Sequence, residues 1–342
     1  MIECVPNISD GRDRGKIDSI ASYAASVKGV HLLHVDPNPD ANRSVITMLG
    51  EPDAVLEGAF RLYERSKALI DMEMHSGEHP CIGSVDVCPF VYLRSEFRAA
   101  CIEVAHQLGK RVASELQIPV FYYGEAATER VGRDLASLRR GGFLELPARF
   151  ANGSLVSDEG PNRDHRTFGA TIIGARPVLI AFNVSLHTSN VGIARKIAAR
   201  LRESGRVVGT NAQAGSQRES GALKTVKAIG WDMRGYGCCQ VSTNVTDFRV
   251  AGLHQVFERC VTLASEFGVR VIGSEIVGLV PEEAMVLAGE YFARLGGYNE
   301  SPVKRDKLIT LAIKSLGLSL HSEFVPEERI LERVCRAHDL VI

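Results

Sequence analysis

The chain has 342 residues, 45% hydrophobic and 24% charged, a balance that supports sizeable cores and excludes disorder, collagen and coiled coil for most of its length. At about 150 residues per domain, that length calls for roughly two domains. The 40 Lys and Arg stand against 41 Asp and Glu, a net charge of −1, which excludes a broad basic surface for nucleic-acid phosphates.

No apolar run reaches the roughly 18–20 residues needed to span a bilayer, and Met1-Ile2-Glu3-Cys4-Val5-Pro6 lacks the basic and apolar regions of an export signal. The expected protein is cytoplasmic, with neither a membrane nor a nucleic-acid partner. Its eight cysteines are scattered and include no C-x-x-C pair, so free thiols are expected rather than a disulfide framework.

Apolar periodicity predicts a recurring order of elements. Residues 1–6 read as a strand, 10–26 as a helix, 30–36 and 43–49 as strands, 53–70 as an amphipathic helix and 85–93 as a strand. A helix over 96–116 and a strand over 118–123 extend this set. The order returns with a strand at 178–185, a helix at 189–204, strands at 223–233 and 240–245, a helix at 252–267 and a strand at 269–273. Helices over 281–295, 302–316 and 326–338, each with proline at its start, close the chain. Twice the order is β-α-β-β-α-β. The expected class is α+β, with two tandem ferredoxin-like subdomains and additional C-terminal helices. The polar stretch 151–176 reads as a connector, which puts the subdomains at 1–177 and 178–342. A second polar, glycine-containing stretch, Gly205–Gly221, reads as a mobile surface loop.

Three clusters carry candidate chemistry. In Met74-His75-Ser76-Gly77-Glu78-His79-Pro80-Cys81, two histidines four apart suggest a zinc ligand set. Gly77 and Pro80 oppose the helix this would need. An extended His79 beside Glu78 suits general acid–base work; the alternative is a loop histidine without chemistry. In His34–Arg43, Asp36 can orient an imidazole or pair with a cationic substrate, and Arg43 can grip a carboxylate. The same residues are also ordinary turn formers. In Gly160–Thr171, followed by Gly174-Ala175-Arg176, glycines and cations suit an anionic ligand or a solvated linker equally. Walker, dinucleotide and nucleophile-elbow motifs are absent. Cys81 and Cys88 are candidate nucleophiles only by proximity.

These clusters belong to a longer series of motifs: Glu3-Cys4-Val5-Pro6-Asn7, Val35-Asp36, Asn42-Arg43, Gly77-Glu78-His79-Pro80, Asp86-Val87-Cys88-Pro89-Phe90, Tyr123-Gly124-Glu125-Ala126-Ala127, Gly174-Ala175-Arg176, Ile229-Gly230-Trp231, Gln240-Val241-Ser242-Thr243-Asn244 and Val277-Gly278-Leu279-Val280-Pro281. In this order the chain resembles the formiminotransferase family: the stand-alone glutamate formimidoyltransferases and the transferase part of the bifunctional enzyme that also carries a cyclodeaminase domain. The resemblance implies two ferredoxin-like subdomains, a homodimer and no metal. It implies transfer of the formimino group of N-formimino-L-glutamate to N5 of the co-substrate tetrahydrofolate, in histidine degradation. Because the resemblance stops short of the second domain, cyclodeaminase activity is expected to be absent.

By the same resemblance His79 is the catalytic histidine and Asp36 the aspartate linked to it. Asn42, Arg43, Glu78 and Tyr123 join the expected substrate- and folate-binding set. So do Gly160, Pro161, Asn162, Arg163, Asp164, His165, Arg166, Thr167, Phe168 and Gly169. Two departures from the family pattern stand out: Cys81 follows Pro80 where the family carries arginine, and Asn162–Thr167 is more charged. Alternatives of other classes are a transferase for another formimino or formyl donor, and a non-catalytic folate-binding homologue.

Overall fold

The computed structural model describes residues 1–127, 135–208, 217–297 and 303–342. Two compact units, Met1–Val178 and Leu179–Val341, are formed from these residues. Residues 209–216 of the expected loop, and the first residue of the helix expected over 302–316, lie outside the described residues.

In the first unit, β1 (Ile2–Cys4) and β2 (Asn7–Ile8) precede α1 (Arg14–Ala25), β3 (Val30–Asn38), β4 (Arg43–Gly50), α2 (Pro52–Leu69) and β5 (Val85–Tyr92). Then come α3 (Arg98–Leu116), β6 (Val120–Gly124), α4 (Leu135–Leu138), α5 (Gly142–Ala151) and β7 (Thr171–Pro177). β1 and β2 lie between β4 and β5, and β3 forms the far edge; all these pairings are antiparallel. That is the ferredoxin-like arrangement. Alternate residues explain its layering. Cys4, Ile8, Ile46, Met48, Val85, Cys88 and Phe90 are buried against apolar residues of α1, α2 and α3.

β7 was not foreseen. The stretch expected to be a connector supplies a parallel strand between β5 and β6. Thr171-Ile172-Ile173 is a short β-branched run, hidden by the charged residues before it and by Gly174 and Arg176 after it. Gly174 must stay small, because an added Cβ would lie 2.4 Å from the Tyr123 ring and carbonyl. On the face opposite the three helices, Val87, Phe121, Tyr123 and Ile172 pack with Leu138, Leu146 and Leu155.

The second unit repeats the order with β8 (Ile180–Leu186), α6 (Val191–Leu201), β9 (Arg206–Val208), β10 (Gln217–Glu219), β11 (Val226–Met233), β12 (Cys238–Val245), α7 (Leu253–Ser265) and β13 (Val271–Val277). Four strands form an antiparallel sheet in the order β11-β12-β8-β13. α8 (Glu282–Leu295), α9 (Arg305–Leu316), α10 (Pro326–Arg329) and α11 (Leu331–Ala337) follow. The expected loop at Gly205–Gly221 contains an antiparallel pair instead, with Arg218 opposite Val207. Its polar composition concealed a short exposed hairpin. The last predicted helix is divided at Ile330, which is fully buried and extended between α10 and α11.

Phe168 ties the late segment to the first core. Its ring is fully buried and stacks on Tyr63 at 6.1 Å, while Tyr63 and Thr171 hydroxyls meet at 2.7 Å. Phe168→Ala is expected to cost about 3–5 kcal/mol, the range for an emptied aromatic site. Denaturant unfolding followed by circular dichroism measures it. A loss below about 1 kcal/mol, well under that range, would contradict this packing.

Candidate active site

Three connections meet at one end of the first sheet: β2 to α1, the β3–β4 turn, and the segment from α2 to β5. Their backbones pack too closely for side chains. A Cβ on Gly11 would lie 2.1 Å from the Asn38 carbonyl oxygen, and one on Gly77 would lie 2.3 Å from that of Ala41. Asn42 sits between them in a left-handed conformation, φ 47°, which asparagine tolerates better than most residues. Its Oδ1 accepts from the Gly11 N–H at 3.0 Å, and its Nδ2 donates to the Ser76 carbonyl at 3.0 Å. The Ser9 hydroxyl donates to the Gly83 carbonyl at 2.7 Å. The imidazole-bearing loop is thus anchored at both ends, and Asn42 serves as an anchor.

Below this knot, a β-bulge between β2 and β5 sets Asn7 opposite Val87 and Ile8 opposite Val85, with Asp86 as the extra residue. Bulges re-aim side chains. Asp86 is fully buried. Its Oδ2 accepts from Arg43 Nη1 at 2.7 Å and Arg139 Nη2 at 2.5 Å, and its Oδ1 accepts from the Ile82 N–H at 3.0 Å. Arg43 Nε donates to Asn7 Oδ1 at 3.0 Å. Burial would raise the Asp86 carboxyl, but the Arg139 and Arg43 charges outweigh it and hold the group well below the usual carboxylate range. Two guanidinium groups around one carboxylate leave a positive balance.

His79 is half-buried on the anchored loop, and its Nδ1 lies 2.8 Å from the Pro80 carbonyl oxygen. A carbonyl only accepts, so Nδ1 carries the proton and Nε2 the lone pair. Burial holds the imidazole well below its ordinary pKa, and the Arg43 and Arg139 charges push it further; Asp86 and the Pro80 carbonyl oppose them. The result is a neutral base of defined tautomer at pH 7.

The remaining expected residues divide. Asp36 lies on β3 opposite Val45, on the sheet face that also carries Arg43 and Asn7. Glu78 is exposed, and its N–H donates to the Asp40 carbonyl at 3.1 Å. Tyr123, expected to contact folate, is instead buried in the apolar cluster above β5, β6 and β7. Of the Gly160–Gly169 segment, Gly160 packs on Ile118 and Ala113, and Asn162 Oδ1 accepts from the Ser157 N–H at 3.0 Å. His165 and Gly169 exchange backbone bonds of 2.9 and 2.6 Å, Thr167 accepts from the Met72 N–H, and Arg166 pairs with Glu73 at 3.2 Å. Phe168 and Gly169 are packed in the core: the ring fills the first core and a Cβ on Gly169 would meet the Ile82 carbonyl at 2.2 Å. Pro161, Asp164 and His165 are half-buried, and Asn162, Arg163 and Arg166 are exposed.

Two readings disfavoured from the sequence gain no support from the geometry. The Nδ1 atoms of His75 and His79 turn to different carbonyls, those of Ser9 and Pro80, rather than toward a shared ion. Burial pushes the Cys81 thiol up to about 11, so it is no thiolate nucleophile near neutral pH. All eight cysteines are buried and outside disulfides. Sequence reasoning missed Asp86 and Arg139. A lone acid inside an apolar strand was a usable signal for the first; nothing local marked Arg139.

Comparisons with known proteins bear on this arrangement. Residues 1–176 match the model of the formiminotransferase domain, N-terminal subdomain, and residues 181–336 match that of the formiminotransferase domain. The chain is 37% identical to a glutamate formimidoyltransferase of Streptococcus pyogenes, over 87% of this chain and 95% of that one. It is also 37% identical to one of Thermoplasma acidophilum, over 90% and 97% respectively. The chain belongs to the formiminotransferase family. It is 40% identical to the formimidoyltransferase-cyclodeaminase of Sus scrofa over 97% of its own length, but spans only 59% of that relative.

Asp86→Asn leaves two buried guanidinium groups without their counter-charge and is expected to cost about 3–5 kcal/mol in denaturant unfolding. An unchanged midpoint and slope would contradict the triad. Arg139→Met removes a cation that disfavours imidazolium, so the His79 pKa rises. The acid limb of kcat/KM against pH should therefore move to higher pH; a limb that stays put or moves down refutes the assignment.

Proposed function

We propose that the chain transfers the formimino group of N-formimino-L-glutamate to N5 of tetrahydrofolate, with His79 as the acid–base residue. Membership of the formiminotransferase family supports the reaction class. The observation that carries the residue assignment is the neutral, tautomer-fixed His79 within the family's Gly77-Glu78-His79-Pro80 motif.

The chemistry asks for a base of this kind. N5 attacks the amidine carbon, and the new N5–C bond leaves N5 as an acidic ammonium. A weak base suffices to take that proton at Nε2. The imidazolium then formed is a strong acid, because burial and two arginines disfavour it, and it readily protonates the glutamate nitrogen. The C–N bond to glutamate breaks, and the imino nitrogen leaves with the carbon on N5. No covalent enzyme intermediate is needed. Holding both substrates in register supplies a further part of the barrier reduction.

Asp36 and Glu78 are the carboxylates proposed to favour the protonated amidine. Arg43 is engaged by Asp86 and Asn7, so it acts on a substrate carboxylate through its field rather than as an open fork. Asn162, Arg163 and Arg166, exposed on the family's folate segment, are the proposed partners of the acidic folate tail.

Formation of 5-formiminotetrahydrofolate, followed spectrophotometrically with N-formimino-L-glutamate as donor, tests the reading. Wild-type protein should turn over this donor, and His79→Ala should lower kcat by roughly 10²–10⁴. Turnover with a different formimino or formyl donor alone moves the assignment to that donor. Full activity of the alanine variant removes His79 from the mechanism.

A further inference from the structure

Arg139 acts beside His79, yet the short element that carries it has little to hold it in place. It follows α4, Leu135–Leu138, a single turn too short to be stable by itself. Leu138 anchors one side of that turn, buried with Leu146 of α5 and Leu155 against Val87, Phe121 and Ile172. The carbonyls at its C-terminal end still need donors from outside the helix.

One side chain supplies them. Arg149, in the last turn of α5, donates through Nη1 to the Leu138 carbonyl at 2.7 Å and the Arg140 carbonyl at 2.8 Å. Its Nη2 donates to the Ser137 carbonyl at 3.2 Å. Two of these carbonyls flank Arg139 directly. A guanidinium suits the task, because its N–H groups spread in one plane and its charge complements the negative end of a helix. Arg149 stands four residues after Glu145, the spacing of an ion pair along a helix, but its guanidinium turns to α4 instead. Its own backbone is fixed too: the Arg149 carbonyl accepts from the Leu155 N–H at 3.1 Å and the Ser154 hydroxyl at 3.3 Å.

The turn between the two helices also rests on the histidine-bearing loop. Gly141 and Gly142 have φ of 76° and 63°, and a Cβ on Gly142 would lie 3.4 Å from the Cys81 carbonyl oxygen. Cys81 is two residues beyond His79. From the end of α4, Arg139 Nη2 reaches Asp86 Oδ2 at 2.5 Å, while Asp86 Oδ1 accepts from the Ile82 N–H of the same loop. Contacts therefore run without a break from Arg149, through the last carbonyls of α4, to Arg139, Asp86 and the loop of His79.

We propose that Arg149 is a positioning residue for the transfer reaction, tying the end of α4 so that Arg139 stays on Asp86 beside His79. This inference rests on the formimino-transfer reading, in which His79 moves the proton. Burial, Arg43 of β4 and Arg139 disfavour a charged His79, while Asp86 of β5 and the Pro80 carbonyl favour it. The other ionisable groups of the site, Asp36, His75, Glu78 and Cys81, are the same in every variant below. Loss of Arg149 frees the end of α4, Arg139 withdraws, and His79 takes up its proton at higher pH.

The titration midpoint of His79, read by nuclear magnetic resonance of the imidazole-labelled, ligand-free full chain, tests this. Four proteins are compared: wild type, Arg149→Met, Arg139→Met and the double variant. Arg149→Met should raise the midpoint as Arg139→Met does, and should add nothing once Arg139 is gone. The acid limb of kcat/KM with N-formimino-L-glutamate should follow the same pattern. An arginine that only stabilised the fold would lower the melting temperature and leave the midpoint in place, which overturns the proposal. An equal rise in both backgrounds also overturns it, because the charge of Arg149 would then act on the ring directly. Should the methionine variant not fold, Arg149→Lys replaces it, since one ammonium keeps the charge but cannot match three carbonyls in a plane. A smaller rise that requires Arg139 supports the proposal, and no rise overturns it. Wild-type protein that does not turn over the donor overturns the transfer reading, and the midpoints still decide whether Arg149 seats Arg139.

Discussion

Asp86, a carboxylate with no solvent exposure, joins the guanidinium groups of Arg43 and Arg139, and the chemistry of the first unit follows from that contact. Burying three charges is unfavourable unless they satisfy one another, and here the Ile82 N–H and the Asn7 side chain add further bonds, while Arg139 Nε is buried without a partner among the described residues. The contact joins the starts of β4 and β5 to the residue that follows α4. It also leaves one positive charge in excess beside His79, which adds to burial in keeping the imidazole neutral. Arg139 supplies a cation to this neighbourhood from a distant part of the chain.

A catalytic imidazole needs a fixed tautomer as well as a fixed charge. The Pro80 carbonyl provides the first, and the backbone knot of Gly11, Asn42 and Gly77 keeps the loop where the second is felt. These are constraints of shape. Each depends on a residue that can adopt an unusual backbone or tolerate close approach, which is why glycine and asparagine recur in a segment whose chemistry lies with histidine.

The alternating apolar residues of the strands and the helical spacing after them made the two β-α-β-β-α-β orders legible before any coordinates. β7 was not legible, because parallel central strands announce themselves by apolar runs, and Thr171-Ile172-Ile173 is only three residues long and surrounded by charge. The hairpin at Arg206–Val208 and Gln217–Glu219 was hidden for the opposite reason: it is exposed and needs no apolar side. At the site, the family motif pointed to His79 and the resemblance to Asp36, and neither pointed to Asp86. Asp86 emerges only once the bulge turns it, and Arg139 only once the fold brings it across. Tyr123 and Phe168 were expected at a ligand because their segments match the family's; the fold uses both rings as core.

The claim most exposed to test is that burial, with the charges of Arg43 and Arg139 beside it, keeps His79 uncharged in the ligand-free protein. Nuclear magnetic resonance of imidazole-labelled protein between pH 5 and 8, with His79 assigned by its substitution, reports this directly. A neutral Nδ1–H tautomer at pH 6.5 and a midpoint below the ordinary histidine value of about 6.5 are expected. A midpoint at or above that value, or the opposite tautomer, would contradict it.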